Sequence, residues 1–265
     1  MSDGILYEVD DPLAVITLDR PEVLNAFHYP MLDEIRQAVE AATADPAVVG
    51  IIVTGSGRGF CAGLDASVLA ATTAVGSSGR PPVADDELPG LFSYFTEQPK
   101  PIIAAVNGVT AGGGFVLASM CDLRFASTQA AFTSVFTKRG LIAEHGTTWI
   151  LPRLIGTGAA LDLLWSSRKI DADEALRLGL VQQVVAPEDL LDTARAYVAD
   201  LAANVAPKAL ADTKRLVYSH GGLALRAALV EADEATWAAV SRPDAREGAM
   251  SLLERRAPNF ERVGE

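Results

Sequence analysis

The sequence predicts an α/β protein built from strand–helix–strand crossover units, with a helical layer at its C-terminal end. A short β-branched run, Val48–Thr54, follows a helical pattern that begins near Pro30. A second apolar run, Ile102–Val106, leads into a helix of small and apolar residues, and four helical patterns fill the chain after residue 186. Strands and helices that alternate at this spacing are typical of a parallel sheet covered by helices.

The N-terminal part is predicted to fold as a hairpin followed by a helix. Ile5–Asp10 and Leu13–Asp19 alternate or run apolar on either side of a proline, as hairpin strands do. Pro30 suits a first helical turn, and apolar side chains recur at helical spacing from Met31 to Ala42. The glycines of residues 55–59 then predict a flexible turn.

Ala70–Gly90 differs in composition from the rest of the chain. It is rich in alanine, threonine, serine, glycine and proline, which predicts a mobile surface segment that could cover a site. Leu91–Thr96 is predicted to form the last part of a helix, which ends before Pro99. Strand-like sequence resumes at Pro101, so the domain does not divide here.

The next elements alternate until the chain becomes helical. A helix is predicted near Gly146, with Thr147 and Thr148 as capping candidates and an interruption at Leu151–Arg153. Asp171 is placed to cap a short helix. The further predicted strands are Leu123–Ala126, Ala131–Phe132 and Val181–Val185, and the further helices are Ala159–Ser166, Asp171–Leu178, Pro187–Ala203, Pro207–Ser219, Leu223–Ser241 and Pro243–Leu253.

The stretch around which the chain is organised is Ile102–Asp122. Three consecutive glycines, Gly112–Gly114, separate its strand from the apolar helix Phe115–Met120. Without side chains in the way, the free N–H groups of the first helical turn can face a ligand oxygen, as in an oxyanion hole. Alternatively, the glycines only permit tight packing of the helix on the sheet. The stretch alone supports both interpretations.

Composition limits the classes of function. The 265 residues carry a formal net charge of −12 without blocks of like charge, which argues against binding to nucleic acid or to an anionic membrane. Cys61 and Cys121 stand in apolar contexts and the three histidines are scattered, so no metal site is expected. No stretch resembles a signal peptide or a membrane-spanning helix, and a cytoplasmic location is therefore expected.

Several short motifs stand along the chain in a specific order and spacing. Together they resemble the crotonase (enoyl-CoA hydratase/isomerase) superfamily over nearly the whole length. They are Asn25-Ala26, Phe60–Asp65, Ala105–Gly108 with Gly112–Gly114, Cys121-Asp122, Gly140–Ile142 with Leu151–Gly156, Ala172–Val181 and Pro258–Phe260.

The resemblance implies a fold, an assembly and a substrate class. The fold would be a crotonase-like spiral of ββα units over residues 1–200, followed by a helical trimerisation region over residues 201–265. The chain would assemble as a homotrimer or as a hexamer formed by two trimers. Its substrate would be an acyl-CoA thioester, so that coenzyme A enters as part of the substrate and no cofactor is permanently bound.

The resemblance also implies roles for individual residues. The backbone N–H groups of Leu64 and Gly113 would bind the thioester oxygen. Ala26 and Ala62 would lie near the adenine end of coenzyme A, with Leu64 and Asp65 beside the same pocket. Asp65 could instead hold its own loop.

The chain departs from the family where hydratases carry the two glutamates that hold and activate water. Those positions are Val116 and Phe136, which can only line an acyl pocket, so ordinary hydration is disfavoured. One carboxylate, Glu144, stands at a position similar to that of an aspartate in several isomerases of the superfamily. A double-bond shift needs only one base, so isomerisation with Glu144 as the base is favoured.

Alternatives remain beside the isomerase. The protein could be an enoyl-CoA hydratase, a hydrolase of CoA thioesters or C–C bonds in which Glu144 activates water, or a catalytically silent acyl-CoA binder. Glu144 could also be a loop carboxylate that is favoured by a nearby helix N-terminus. His145 is expected to be a structural or hydrogen-bonding neighbour rather than a second catalytic group.

Overall fold

The secondary structure follows the predicted α/β order. A computed structural model describes residues 4–75 and 88–264. The strands are β1 (Ile5–Asp10), β2 (Leu13–Leu18), β3 (Gly50–Gly55), β4 (Gly59–Cys61), β5 (Ile102–Val106), β6 (Val109–Ala111), β7 (Leu123–Ser127), β8 (Ala131–Thr133), β9 (Ile170–Asp171) and β10 (Gln183–Val185). The α-helices are α1 (Tyr29–Ala44), α2 (Ala66–Val75), α3 (Gly113–Met120), α4 (Thr147–Ile155), α5 (Thr157–Ser166), α6 (Ala172–Leu178), α7 (Leu190–Asn204), α8 (Pro207–His220), α9 (Leu225–Val240) and α10 (Pro243–Glu254).

From β3 to β8, successive strands alternate between two sheets. The larger sheet has the order β1-β2-β3-β5-β7-β10, and the smaller sheet has the order β4-β6-β8-β9. Except for the antiparallel pairs β1–β2 and β8–β9, neighbouring strands are parallel. The units β3-β4-α2, β5-β6-α3 and β7-β8-α4 each give one strand to each sheet before their helix. The predicted spiral of ββα units is thereby confirmed.

The central strand β5 is apolar on both faces because the larger sheet is covered on both sides. Ile102, Ala104 and Val106 belong to the main core, which includes the buried residues of α1 and α3. Ile103 and Ala105 belong to a second cluster, which includes the buried residues of α7. All five residues are fully buried, so β5 holds the following turn and the start of α3 in a fixed place.

The predicted interruption of α4 at Leu151–Arg153 is wrong, because the helix continues through Pro152 to Ile155. Proline removes only its own N–H bond, while the Pro152 carbonyl still accepts from the N–H of Gly156 at 3.0 Å. The predicted caps differ as well. Gly146 is the N-cap of α4, and the hydroxyl of Thr147 donates to the Glu144 carbonyl.

The segment Ala70–Gly90 is only partly described. Its first six residues continue helix α2, and residues 76–87 lie outside the described residues, so the expected mobility of the segment remains a prediction. The helix predicted for Leu91–Thr96 is a short 3-10 turn at Ser93–Glu97.

The last part of the chain is helical, as predicted. The expected division after residue 200 falls within α7 and remains a prediction. None of the described helices is long and apolar enough to cross a membrane. Helices α9 and α10 leave many apolar side chains exposed, namely Leu225, Leu229, Val230, Trp237, Val240, Leu252 and Leu253.

Candidate active site

Two segments that precede helices, residues 24–27 and 62–65, lie side by side. They contain all four residues predicted to contact coenzyme A. Three backbone hydrogen bonds of 2.9 Å join them, from Ala62 N–H to the Leu24 carbonyl, from Phe27 N–H to the Gly63 carbonyl and from Asp65 N–H to the Phe27 carbonyl. The chain therefore brings Ala26, Ala62, Leu64 and Asp65 to one place.

The N–H groups of Leu64 and Gly113 are both available to a ligand. In the parallel bridge between Phe27 and Leu64, Phe27 bonds to the residues on either side of Leu64, so the N–H of Leu64 points away from Phe27. Gly113 is the first residue of α3, so its N–H has no acceptor within the helix. Among the described residues, neither N–H has a protein acceptor.

Gly63 brings these two N–H groups close together. A Cβ built on Gly63 would lie 2.9 Å from the amide nitrogen of Gly113. Since Leu64 follows Gly63 directly, covalent geometry places the two nitrogens at most roughly 6–7 Å apart. Two donors that each lie about 2.9 Å from one oxygen are separated by up to roughly 6 Å. The geometry is therefore compatible with the predicted oxyanion hole.

The glycines of this region also permit close packing, as the alternative interpretation proposed. Gly63 has a φ of +94°, and any side chain on it would lie 2.8 Å from the Ala111 carbonyl oxygen. A side chain on Gly113 would collide with the ring of Phe27, and one on Gly114 with the carbonyl of Cys61. The two interpretations are thus compatible, because close packing is what brings the N–H groups near each other.

Asp65 makes contacts within its own loop. Its carboxylate accepts from the N–H and the hydroxyl of Ser67 at 3.1 and 2.8 Å, and from the Arg20 guanidinium at 3.4 Å. The bonds from Ser67, followed by the one from Arg20, hold the pKa of Asp65 below its usual value. These contacts give Asp65 a role at the start of α2, and its contact with coenzyme A remains a prediction.

Val116 and Phe136 both lie in the main apolar core. Val116 is fully buried on α3, and Phe136 is 7% exposed. Met120 stands four residues after Val116, so the two side chains share one face of the helix. Apolar side chains thus follow the face of α3 from its N-terminal glycines to its last residue.

An open cavity of about 900 Å³ begins at Met120. Its walls come from Met120, Gly146 and Trp149, together with residues 88–99 and 211–219. Several polar groups of these walls have partners within the protein. Asp212 pairs with Arg242, Arg215 pairs with Glu231, and the hydroxyl of Tyr218 donates to Asp122. The cavity therefore offers mainly apolar surface to a ligand.

Glu144 stands in the loop between Phe136 and α4. Leu141 and Ala143 of this loop pack against the cluster that contains Val116 and Phe136, which places the loop beside the core around α3. The Glu144 side chain is 35% exposed, and its Oε2 lies 3.2 Å from Nε2 of His145. Within the described residues, apolar side chains therefore do not fully enclose this carboxylate.

The two cysteines belong to the core rather than to the site. Cys61 and Cys121 are buried free thiols, and burial raises the pKa of each to about 12, so both are core residues as predicted. The described part of the chain contains no group of three or more His, Cys, Asp or Glu side chains arranged to hold a metal ion.

Sequence reasoning missed residues that shape the site through long-range contacts. Phe27 is fully buried beneath Gly113, although nothing in its local sequence distinguishes it from an ordinary core aromatic. Asn25, at a φ of +56°, donates from Nδ2 to the carbonyls of Ser56 and Gly59 and so fixes the segment before Phe27. For Asn25 a signal was present, because it belongs to a motif of the resemblance.

Comparisons with known proteins agree with this fold. Residues 8–263 match the family described as Enoyl-CoA hydratase/isomerase. The chain is 38% identical over 256 residues to a probable enoyl-CoA hydratase of Rhodobacter capsulatus, covering 97% of each chain. It is 34% identical to 1,2-epoxyphenylacetyl-CoA isomerase of Escherichia coli, covering 98% of this chain and 99% of that protein. An enoyl-CoA hydratase crystal structure from Geobacillus kaustophilus superposes with a TM-score of 0.86 at 34% identity, covering 99% of this chain and 98% of that one.

The fold and the family match thus define a protein of the acyl-CoA-processing class. The chain belongs to the enoyl-CoA hydratase/isomerase family.

Proposed function

We propose that this protein is an enoyl-CoA isomerase in which Glu144 is the base and the N–H groups of Leu64 and Gly113 bind the thioester oxygen. The observation that carries this proposal is that the two N–H donors, neither with a protein acceptor among the described residues, lie at the start of α3, and that the loop of Glu144 packs against the core around the same helix. Apolar Val116 and Phe136 occupy the positions at which family hydratases are expected to hold glutamates. One carboxylate suffices for a double-bond shift, whereas hydration needs a positioned water.

The reaction follows from these groups. Glu144 removes a proton from C2 of a 3-enoyl thioester, and the electron pair moves toward the thioester oxygen, which becomes an enolate. The N–H groups of Leu64 and Gly113 stabilise that negative charge. The carboxyl group of Glu144 then returns the proton to C4, and the double bond forms between C2 and C3.

The substrate would lie across the two halves of the site. Coenzyme A would lie against Ala26, Ala62, Leu64 and Asp65 and leave with the product, so it acts as part of the substrate. The acyl chain would follow the α3 face from Val116 to Met120. Because Met120 is seven residues from Gly113, an acyl chain must extend about 10 Å from the thioester to reach the cavity.

A hydratase is the second candidate, and the relatives favour it. Most of the similar relatives are hydratases by name, and one is an isomerase. If this chain hydrates 2-enoyl-CoA, its water must be held by groups other than Val116 and Phe136. Hydrolysis of a CoA thioester and silent acyl-CoA binding are further outcomes that the same experiment distinguishes.

The experiment supplies 3-enoyl-CoA and 2-enoyl-CoA separately and follows the products by mass spectrometry and absorbance. We expect conversion of 3-enoyl-CoA to the conjugated 2-enoyl product, lost in Glu144→Gln and kept in Glu188→Gln, which changes an exposed carboxylate. Addition of water that survives Glu144→Gln would contradict the isomerase proposal. Binding without turnover of either substrate would favour the silent binder.

We further infer assembly into a homotrimer or a hexamer. The exposed apolar side chains of α9 and α10 support an assembly, because a monomer would leave this surface in water. Sedimentation equilibrium checks the prediction, and a monomer at micromolar concentration would contradict it.

A further inference from the structure

The side chain of His145 lies next to that of Glu144, and the proposed reaction does not use it. Its Nε2 lies 3.2 Å from Oε2 of Glu144. Side chains of consecutive residues in an extended chain point to opposite sides, so this approach requires an unusual backbone. His145 has a φ of +53°, and Gly146 follows with a φ of +82°. The left-handed turn brings the imidazole beside the carboxylate. A positive φ in a non-glycine residue costs free energy and occurs at only a few positions in a protein.

A second segment packs against the backbone of His145. A Cβ built on Gly90 would lie 3.5 Å from the Cα of His145 and 3.2 Å from the Ser93 hydroxyl. The His145 side chain is 29% exposed and the Glu144 side chain 35% exposed. The pair is therefore packed on one side and open to solvent on the other.

The charge state of His145 depends on two opposing effects. Burial lowers the pKa of the imidazole below its usual value, and the carboxylate of Glu144 raises it by a smaller amount. Among the described residues, Gly90 lies against the backbone of His145 and carries no charge, and the carboxylate of Glu144 lies beside the imidazole. Glu144 is thus the titratable group that faces it, and the lowered pKa favours the neutral imidazole, which has one nitrogen free to accept a proton.

We propose that His145 exchanges the transferred proton between the Glu144 carboxyl group and solvent. This inference rests on the proposed role of Glu144 as the base. After Glu144 takes the C2 proton, its O–H bond breaks as the proton passes to the free lone pair of His145 Nε2, which leaves a carboxylate and an imidazolium. The imidazolium exchanges that proton with water and then returns a solvent proton to the carboxylate, which delivers it to C4. No oxidant, reductant or further reactant is needed.

The consequence is a measurable loss of the substrate's original proton. Isomerisation in D2O by the unaltered protein should place solvent deuterium at C4 of the product in a large share of turnovers. In His145→Gln the side chain keeps its polarity but cannot accept a proton, so Glu144 returns the original proton and the deuterium content falls several-fold. The matched control is His220→Gln, because His220 forms a similar pair with Glu231 at 3.3 Å on helices α8 and α9.

A second measurement avoids the variant altogether. In the unaltered protein, deuterium incorporation should fall as the pH drops through the titration of the imidazole, because an imidazolium has no free lone pair. Unchanged deuterium content in a folded His145→Gln, or incorporation that is constant from pH 5 to 8, overturns the role of His145. Failure of the unaltered protein to isomerise 3-enoyl-CoA is a different result, which overturns the proposed function and with it this inference.

Discussion

The ring of Phe27 lies against the Cα of Gly113 so closely that no side chain fits between them. Phe27 in turn packs edge-on against Phe92, with ring centroids 5.8 Å apart. A donor of the proposed oxyanion hole is therefore held by an aromatic cluster from distant parts of the chain. The position of the Gly113 N–H depends on side-chain packing as much as on the helix that begins there.

Replacement of Gly113 by alanine should remove most of the activity. The added methyl group must displace either the Phe27 ring or the start of α3, and a displaced donor typically lowers kcat about 100-fold or more. Gly158→Ala is the control, since its Cβ would meet nothing within 4 Å and alanine favours the helix. Comparable kcat values for Gly113→Ala and the control would show that this N–H does not act in catalysis.

Leu64 should tolerate a change of side chain but not the loss of its N–H. Leu64→Ala keeps the donor and should retain most of the activity, whereas Leu64→Pro removes it and should cost about 100-fold or more in kcat. The far-ultraviolet circular dichroism of both variants shows whether they fold. A folded and fully active Leu64→Pro would place the thioester oxygen elsewhere.

The size of the cavity at Met120 should set acyl-chain preference. Trp149 is one of its walls and is 39% exposed, so Trp149→Ala enlarges the cavity. The ratio of kcat/KM for octenoyl-CoA to that for butenoyl-CoA should then shift about tenfold or more toward the longer substrate, because even one methylene in an apolar pocket is worth about that much. Trp165→Ala removes a 70% exposed indole outside the cavity and should leave the ratio unchanged. If both variants behave alike, the acyl chain does not enter this cavity.

The two buried thiols should make the fold sensitive to alkali. Burial raises the pKa of Cys61 and of Cys121 from 9.0 to about 12, so the folded state holds these protons more tightly than the unfolded state. Their stabilising contribution is complete below pH 9 and is lost as the pH rises toward 12. By pH 10.5 the loss should reach roughly 2 kcal/mol per thiol.

The measurement is urea unfolding at pH 8 and pH 10.5 for the natural chain and for the double variant Cys61→Ala, Cys121→Ala. Other ionisable groups are common to both proteins, so the difference between them isolates the thiols. An equal loss of unfolding free energy in the two proteins would mean that the thiols do not contribute.

The strands of the larger sheet and most helices could be predicted because local patterns determine them, whereas β4, β6, β9 and α2 were not predicted. Apolar runs bounded by turn residues located the central strands, and the glycine triplet located the start of α3. The interruption predicted at Pro152 was wrong because burial of Ile150 and Leu151 outweighs one missing hydrogen bond. The low helix propensity of proline could not reveal the stabilisation that the burial of these two side chains provides.

The candidate site was less accessible to prediction for a related reason. Leu64, Gly113 and Glu144 were identified through motifs, yet the spacing of the N–H groups depends on the approach of Gly63 to Gly113, fifty positions along the chain. The contact of Phe27 with Gly113 and the cavity between residues 88–99 and α8 likewise join distant segments. The positive φ of His145 could not be predicted either, because a non-glycine residue gives no sequence signal for a left-handed backbone.

The candidate site draws on residues 24–27, 62–65, 112–116 and 144–145, so more than a hundred positions separate its first and last members. Helices can form locally in a partly folded chain, but contacts between such distant positions form late and are lost in the first large-scale opening. Turnover would therefore report completed folding, whereas circular dichroism would still register a misassembled chain that has its helices. No fragment that lacks one of the four segments would be active, and an activity assay would separate correctly refolded molecules from merely helical ones.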